Sequence, residues 1–391
     1  MMRSRIFVDR DKLSPRYVPP RLPHREKQVE LLYSMFSEIG EGREIAYTRV
    51  VQLVGPVGTG KTSSCMLVGK RLEEEARKYA LELVHVYFNL RLEASSRYLF
   101  YKSFAEKLSA NLASRSLSAE EQLELIVDYI RKSGMYVLLT LDEADVLAKR
   151  RDLGIVYDLT RLGEVWCDAP AGIIGVIVVT RSKDWRKTLD RAERSSLGQL
   201  IIEYPKYTRE QLVDILGFRA AEAIRRGCLG ENVLEFIAEI TRDRADGDVR
   251  YALDLLLYSG ILAENEGAGK ITINHVRRAL RCISAGLFSE DLEGLNERER
   301  AVLFSVLRAL KSTGKPYVPF SAVKFHYEVL CEEYGLERMG EEELEEILQS
   351  LIDIGVVNAR GVAKIGIVDT DIDELEETLS REIARARGEE Y

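Results

Sequence analysis

At 391 residues, with 46% hydrophobic residues, 31% charged residues and a formal net charge of −8, the chain has material for two or three cores and an ion-paired surface. It holds no run of 18 apolar residues, and its start, MMRSRIFVDRDKLSPRYVPP, lacks an apolar stretch, which argues against a membrane span or a secretory leader. The five cysteines are scattered with no C-x-x-C pair, so reduced thiols in a cytoplasmic protein are expected rather than a zinc site.

The charge is divided. Residues 290–391 carry 12 basic and 24 acidic side chains, leaving residues 1–289 with a net charge of +4. Attraction to a polyanion is expected mainly from the front of the chain.

Residues 1–28 contain Pro15, Pro19, Pro20 and Pro23 and read as an extended arm. A helical pattern follows to about residue 39. The apolar run 50–54 reads as a buried strand and is followed by Gly55-Pro56-Val57-Gly58-Thr59-Gly60-Lys61-Thr62, then by helical spacing over 62–79. This is G-x-x-x-x-G-K-[ST] between a strand and a helix. The glycines let the backbone curl so that N–H groups face phosphate oxygens, and the helix adds its positive end. Lys61 is expected at the β/γ-phosphates and Thr62 at Mg²⁺, with Ser63 beside it.

A strand at 83–88, a helix at 97–113 and a helix opened by the Ser118/Glu121 capping box come next. The apolar strand 136–141 ends in Asp142-Glu143, at the carboxyl edge where open α/β sheets bind ligands. Asp142 suits Mg²⁺ held through water, and Glu143 suits a group that orients or deprotonates the attacking water. With a further strand at 172–180, the alternation predicts a parallel sheet with helices on both faces.

After residue 204 the pattern turns all-helical, with Thr208 and Gln211 capping the first of four helices that end near 284. Residues 285–295 read as a linker. Asn296 and Glu299 cap another helix, two more follow, and short strands over 356–368 flank Arg360-Gly361. Three helices and a hairpin predict a winged helix. The divisions expected are 1–207, 208–288 and 289–391.

Taken together, these residues resemble the archaeal replication initiators related to the origin-recognition complex and the cell-division-control helicase loader. The resemblance rests on the arm (Leu13-Ser14-Pro15-Arg16-Tyr17-Val18-Pro19 and Leu22-Pro23-His24-Arg25-Glu26), the two nucleotide motifs, Ser195-Ser196-Leu197-Gly198, and Gly247-Asp248-Val249-Arg250-Tyr251-Ala252-Leu253-Asp254. It implies an AAA+ core with a helical lid and a C-terminal winged helix. The implied cofactors are ATP or ADP with Mg²⁺. Tyr17, Val18, His24 and Arg25 would sit around the adenine. Arg250 would be a sensor of the γ-phosphate, although its spacing also suits a surface ion pair with Asp246 or Asp254. The implied partners are duplex DNA at replication origins, the replicative MCM helicase and other initiator subunits. A slow ATPase whose nucleotide acts as a conformational switch is implied. A DNA grip after the second strand would fall on Arg91, Arg97 and Lys102, positions that also suit a solvated helix face.

Three departures from the family pattern stand out. The asparagine expected after the fourth core strand is replaced within Thr180-Arg181-Ser182, leaving Thr180 or Ser182 to polarise the attacking water. The arginine before Ser195-Ser196 falls on Ala192, leaving Arg191 or Arg194. The third helix of the winged helix exposes Glu342, Glu345, Glu346, Gln349 and Asp353, and no lysine or arginine lies between Arg338 and Arg360. Phosphates repel such a face, so DNA contact is expected through Arg338, Arg360 and Lys364. The acidic helix also fits a second function: a P-loop switch that is not an initiator and whose winged helix binds protein.

Overall fold

The structure, a computed structural model, describes residues 4–40, 47–112, 117–150, 154–162, 172–189, 191–283, 295–359, 364–368 and 370–386. By internal contacts the chain groups into two units, Val18–Gln211 with Asp246–Val249, and Met1–Tyr17 with Leu212–Ala245 and Arg250–Tyr391.

The first of these is built on a five-stranded parallel sheet in the order β2-β3-β4-β1-β5, from β1 (Arg49–Val54), β2 (Leu83–Asn89), β3 (Tyr136–Asp142), β4 (Ile173–Thr180) and β5 (Ile201–Glu203). The central strands alternate between two cores. Val137, Leu139 and Leu141 of β3 join Phe100, Tyr101 and Phe104 of α3 (Arg97–Leu108) and Leu123, Ile126 and Ile130 of α4 (Ala119–Ser133). Leu138 joins Val51 and Leu53 of β1, Val29 and Leu32 of α1 (Glu26–Ser34), and Cys65, Val68 and Leu72 of α2 (Lys61–Lys78). A near-continuous apolar run is what a strand buried on both faces requires. The Ser118/Glu121 capping box opens α4 with both reciprocal bonds in place.

Three-residue β5, hydrogen-bonded beside β1, was not expected from the sequence. Its apolar content, Ile201 and Ile202, is too short to show a period.

The other unit contains the helices α5 (Arg209–Ala223), α6 (Val233–Arg244), α7 (Val249–Asn265) and α8 (Ile273–Ile283). It also contains a winged helix: α9 (Glu297–Thr313), α10 (Phe320–Tyr334), α11 (Glu341–Asp353), and the antiparallel pair β6 (Asn358–Ala359) and β7 (Ile365–Gly366). The Asn296/Glu299 capping box is formed. A bridge from Val318 to Ile365 widens the wing.

Helix α12 (Ile372–Ala386) follows and was not anticipated, although Ile372, Leu375 and Leu379 recur at helical spacing and are buried against α9 and its neighbours. Arg277 of α8 is buried and donates to the carbonyls of Ile367 at 2.6 Å and Pro316 at 3.2 Å, while Asn274 holds Asp371 and Asp373. The expected linker at 285–295 lies almost wholly outside the described residues. No helix among the described residues is long and apolar enough to cross a membrane.

Candidate nucleotide site

The loop Gly55–Gly60 joins β1 to α2 at the carboxyl end of the sheet. Gly58 (φ +70°) and Gly60 (φ +90°) adopt the left-handed region, which side chains with a Cβ resist. At Gly58 space is decisive as well, since a Cβ there would lie 1.9 Å from the Asp248 carboxylate oxygen. The Thr59 hydroxyl donates to the Pro56 carbonyl (2.9 Å), closing the loop on itself. Lys61 is buried, and its ammonium donates to the carbonyls of Gly55 (2.6 Å) and Pro56 (2.5 Å). Val57 is exposed at the loop's tip, and Ser63 is half-buried one residue past Thr62.

β3 ends one strand beyond β4, and its last residue meets α2. The Thr62 hydroxyl donates to Asp142 Oδ2 at 2.6 Å, and the Tyr87 hydroxyl donates to the same oxygen at 3.0 Å. Burial, reinforced by Asp142, pushes the Tyr87 hydroxyl well above its usual range, so it remains a donor. Asp142 Oδ1 accepts from the Glu143 N–H at 2.8 Å. Glu143 holds φ +55°, a left-handed conformation uncommon for a glutamate and typical of functional sites.

This pair of hard oxygens fits Mg²⁺, which is bound by one or two protein ligands and completed by phosphates and water. No cluster of three or more His, Cys, Asp or Glu suited to a metal occurs among the described residues.

Arg25 is only 2% exposed. It donates to the carbonyls of Thr59 (2.8 Å), His24 (3.0 Å) and Pro205, and its guanidinium lies 3.8 Å from the centre of the Tyr207 ring. Burial lowers its basicity, with the two tyrosine rings of 204 and 207 acting in the opposite sense. The side chain expected near adenine is thus a pin between arm and loop. His24 beside it takes φ +63°, and Val18 is half-buried. Tyr17 groups with the other unit, where its hydroxyl takes a hydrogen bond from Lys12 (2.7 Å) and Arg219 stands over its ring.

Asp248 and Val249 belong to the loop's own unit. The Val249 N–H donates to the Gly58 carbonyl at 3.4 Å. Arg250 follows directly, is exposed, and groups with the other unit. One ion-pair partner suggested for it, Asp246, is engaged by Lys206.

The remaining expected residues have the following partners in the structure. Thr180 is buried with its hydroxyl on the Ser182 carbonyl (3.5 Å), and Ser182 caps Asp184, so neither hydroxyl turns to Glu143. The side chain that does is Arg181, at 3.4 Å from Glu143 Oε2. Arg91, expected on DNA, stands 3.7 Å from the same oxygen.

Arg97 is bound to Asp158 (2.7 Å) and Glu120 (2.9 Å), with Tyr101 also on Asp158, so its charge serves packing between α3, α4 and the short helix Gly154–Thr160. Lys102 pairs with Glu106 one turn on, and Arg338 pairs with Glu332. Lys364 is exposed at the wing, and Arg360 lies outside the described residues. Arg191 and Arg194 are exposed on a short helix, Arg191–Ser196. Asp248 and Arg181 stand inside quoted stretches without a role assigned to them, and Tyr87 carried no sequence signal.

The whole chain has known relatives. Residues 45–187 match the AAA domain family, residues 213–281 the Cdc6 AAA+ ATPase-type lid domain, and residues 290–366 the CDC6 C-terminal winged helix domain. The ORC1-type DNA replication protein 2 of Saccharolobus solfataricus is 30% identical over 370 residues, spanning 93% of this chain and 89% of its own. The ORC1-type DNA replication protein 1 of Sulfolobus acidocaldarius is 32% identical over 362 residues, spanning 93% and 88%.

Among solved structures, Cdc6p from Pyrobaculum aerophilum is similar at a TM-score of 0.76 and 30% identity, covering 97% of this chain and 99% of that one. The Aeropyrum pernix ORC1 protein, solved in complex with DNA, is similar at a TM-score of 0.64 and 29% identity, covering 99% and 100%. A parallel AAA+ sheet, a Cdc6-type lid and a C-terminal winged helix therefore occur in family order, and the chain belongs to the archaeal ORC1/Cdc6-type DNA replication initiators.

Proposed function

We propose that this chain binds ATP with Mg²⁺ in the loop Gly55–Thr62, hydrolyses it slowly, and uses the difference between ATP and ADP to control its hold on duplex origin DNA. The observation that carries the reading is the Thr62–Asp142 bond of 2.6 Å beside a buried Lys61, which assembles a cation, a hydroxyl and a carboxylate at one loop. In this reading residues 1–207 are the nucleotide core, 208–288 the lid and 289–391 the DNA-binding winged helix.

Lys61 exchanges its loop carbonyls for β/γ-phosphate oxygens, a gain because charge-assisted bonds exceed neutral ones. Thr62 and Asp142 are the residues that would hold Mg²⁺, which when bound neutralises charge on the phosphates. Glu143 takes a proton from water as the water oxygen bonds the γ-phosphorus. The bond to the bridging oxygen breaks, and ADP and phosphate leave. Tyr87 fixes the Asp142 carboxylate by its hydrogen bond. In this reading Arg250 is the sensor of the γ-phosphate that the resemblance implies.

Duplex binding is supported by the DNA complex of the Aeropyrum pernix relative. Here the face of α11 opposite Leu344, Leu348 and Leu351 is acidic, with Glu342, Glu345 and Glu346 exposed. The cations proposed for DNA are accordingly Lys364 and Arg360 at the wing, with Arg338. In this reading the protein also helps recruit the replicative MCM helicase and works beside other initiator subunits. Titration of a fluorescent ATP analogue with and without Mg²⁺ tests the first step. Tight, Mg²⁺-strengthened binding that Lys61→Ala removes is expected, and equal binding by both proteins would place the nucleotide elsewhere.

A further inference from the structure

Helix α8 has two faces. Ile273, Val276 and Leu280 are buried, while Asn274, Arg277, Arg278 and Arg281 recur at the i, i+3, i+4 and i+7 spacing that lines up along one side of a helix. All four of these polar side chains reach the C-terminal winged-helix segment. Arg277 is only 3% exposed and donates to the carbonyls of Ile367 (2.6 Å) and Pro316 (3.2 Å). Asn274 donates to Asp371 (3.1 Å) and Asp373 (3.0 Å) and accepts from the Ile372 N–H (3.2 Å). Arg278 pairs with Asp371 at 3.0 Å, and Arg281 pairs with Glu374. The Phe236 ring of α6 meets the Tyr317 ring edge-on with centroids 6.2 Å apart, and the Arg277 guanidinium lies 5.5 Å from the Phe236 centre. The two carbonyl acceptors are tied to one another, because Val318 bridges Ile365 and a Cβ on Gly366 would lie 2.6 Å from the Pro316 carbonyl oxygen.

We infer that this face of α8 joins the lid and the winged helix into one rigid body, with Arg277 as its central pin. The winged helix takes its orientation from the lid rather than swinging freely behind a linker. Arg277 carries most of the hold. The Arg278 and Arg281 side chains are 32% and 44% exposed, and ion pairs open to solvent are weak. Removing the buried guanidinium instead leaves two carbonyls without their donor. A lid that shifts between the ATP and ADP states therefore carries the DNA contacts with it. That consequence rests on the proposed nucleotide control of DNA binding, whereas the joint itself does not.

The joint is tested on the full-length protein by pulsed electron–electron double resonance. Spin labels are attached through p-azidophenylalanine in place of Tyr258 on α7 and Phe325 on α10, both exposed. One narrow distance distribution is expected, the same without nucleotide, with ADP and with a non-hydrolysable ATP analogue. Arg277→Ala is expected to about double its width. The Asn274→Ala/Arg278→Ala double variant, altered only at the more exposed contacts, guards against a folding defect in Arg277→Ala and is expected to broaden the distribution less. A broad or nucleotide-dependent distribution in the wild type, or wild-type widths in both variants, overturns the joint.

The consequence is read by fluorescence anisotropy with a labelled duplex. In Arg277→Ala the ratio of duplex affinities with the ATP analogue and with ADP is expected to approach about one, with nucleotide affinity within about twofold of wild type. An unchanged ratio in a variant whose joint has loosened overturns the transmission. A wild type that binds duplex equally with both nucleotides refutes the nucleotide control, and the joint then stands or falls on the distances alone.

Discussion

The Thr62 hydroxyl donates to the Asp142 carboxylate across 2.6 Å, joining two motifs 80 residues apart in the chain. Parallel β1 and β3 flank β4, so their carboxyl ends emerge at the same edge, and a helix opening at Lys61 turns Thr62 toward the end of β3. The same edge receives Lys61, Tyr87 and Glu143. Removing Lys61 and removing the base at Glu143 have distinct expected results.

Lys61→Ala removes the cation that stands to meet the β/γ-phosphates. Loss of a charged hydrogen-bonding partner costs about 1.5–3 kcal/mol, a weakening of about 10- to 100-fold. Fluorescence titration with a labelled ADP gives the change directly, and an unaltered dissociation constant contradicts the assignment.

Glu143→Gln keeps the size and polarity of the side chain but removes its capacity as a base. ATP affinity is expected to stay within about twofold and turnover to fall by about 10²- to 10⁴-fold. Phosphate release measured under single-turnover conditions separates the two quantities.

Arg25→Ala leaves the carbonyls of Thr59, His24 and Pro205 without their donor and removes the cation from the Tyr207 ring. A loss of about 2–4 kcal/mol of stability is expected, with nucleotide affinity falling as well because the Thr59 carbonyl belongs to the loop. Chemical denaturation and nucleotide titration of the same variant report both effects. Stability equal to wild type refutes the pin.

His85 on β2 is half-buried with its Nε2 2.9 Å from the Thr140 hydroxyl, and desolvation of the ring lowers its pKa from 6.5 to about 4. The folded chain therefore keeps this ring neutral while the unfolded chain takes up a proton, so between these two values stability falls as pH falls. Above about pH 6.5 the contribution is complete. Denaturation midpoints across this window are expected to decline in the wild type and to flatten in His85→Gln. An equal slope in both proteins assigns the pH dependence to other groups.

The order of elements could be read because the chain states it twice, once in motifs and once in apolar periodicity. β1, β3 and β4 are long apolar runs, and their central places in the sheet follow from burial on both faces. The capping boxes at Ser118 and Asn296 mark their helices because two residues three apart close two bonds. β5 escaped because three residues show no period, and α12 because its buried stripe lies among many acids.

At the site, the curled loop and the paired acids follow from residue type and spacing. Long side chains do not. Arg25, Arg91, Arg97 and Arg181 are alike in sequence, yet one is a buried pin, two flank Glu143 and one ties helices together. A side chain with four rotatable bonds is placed by the carboxylates and carbonyls that the fold brings near it, and those come from distant segments.

The claim that this initiator family member holds duplex DNA is tested most directly by fluorescence anisotropy with a labelled duplex over a series of salt concentrations. Binding is expected at about 50 mM salt, weakening linearly in log–log form, with a shallower slope for Lys364→Ala combined with Arg360→Ala. Absence of duplex binding at low salt, or binding that is indifferent to salt, would contradict it.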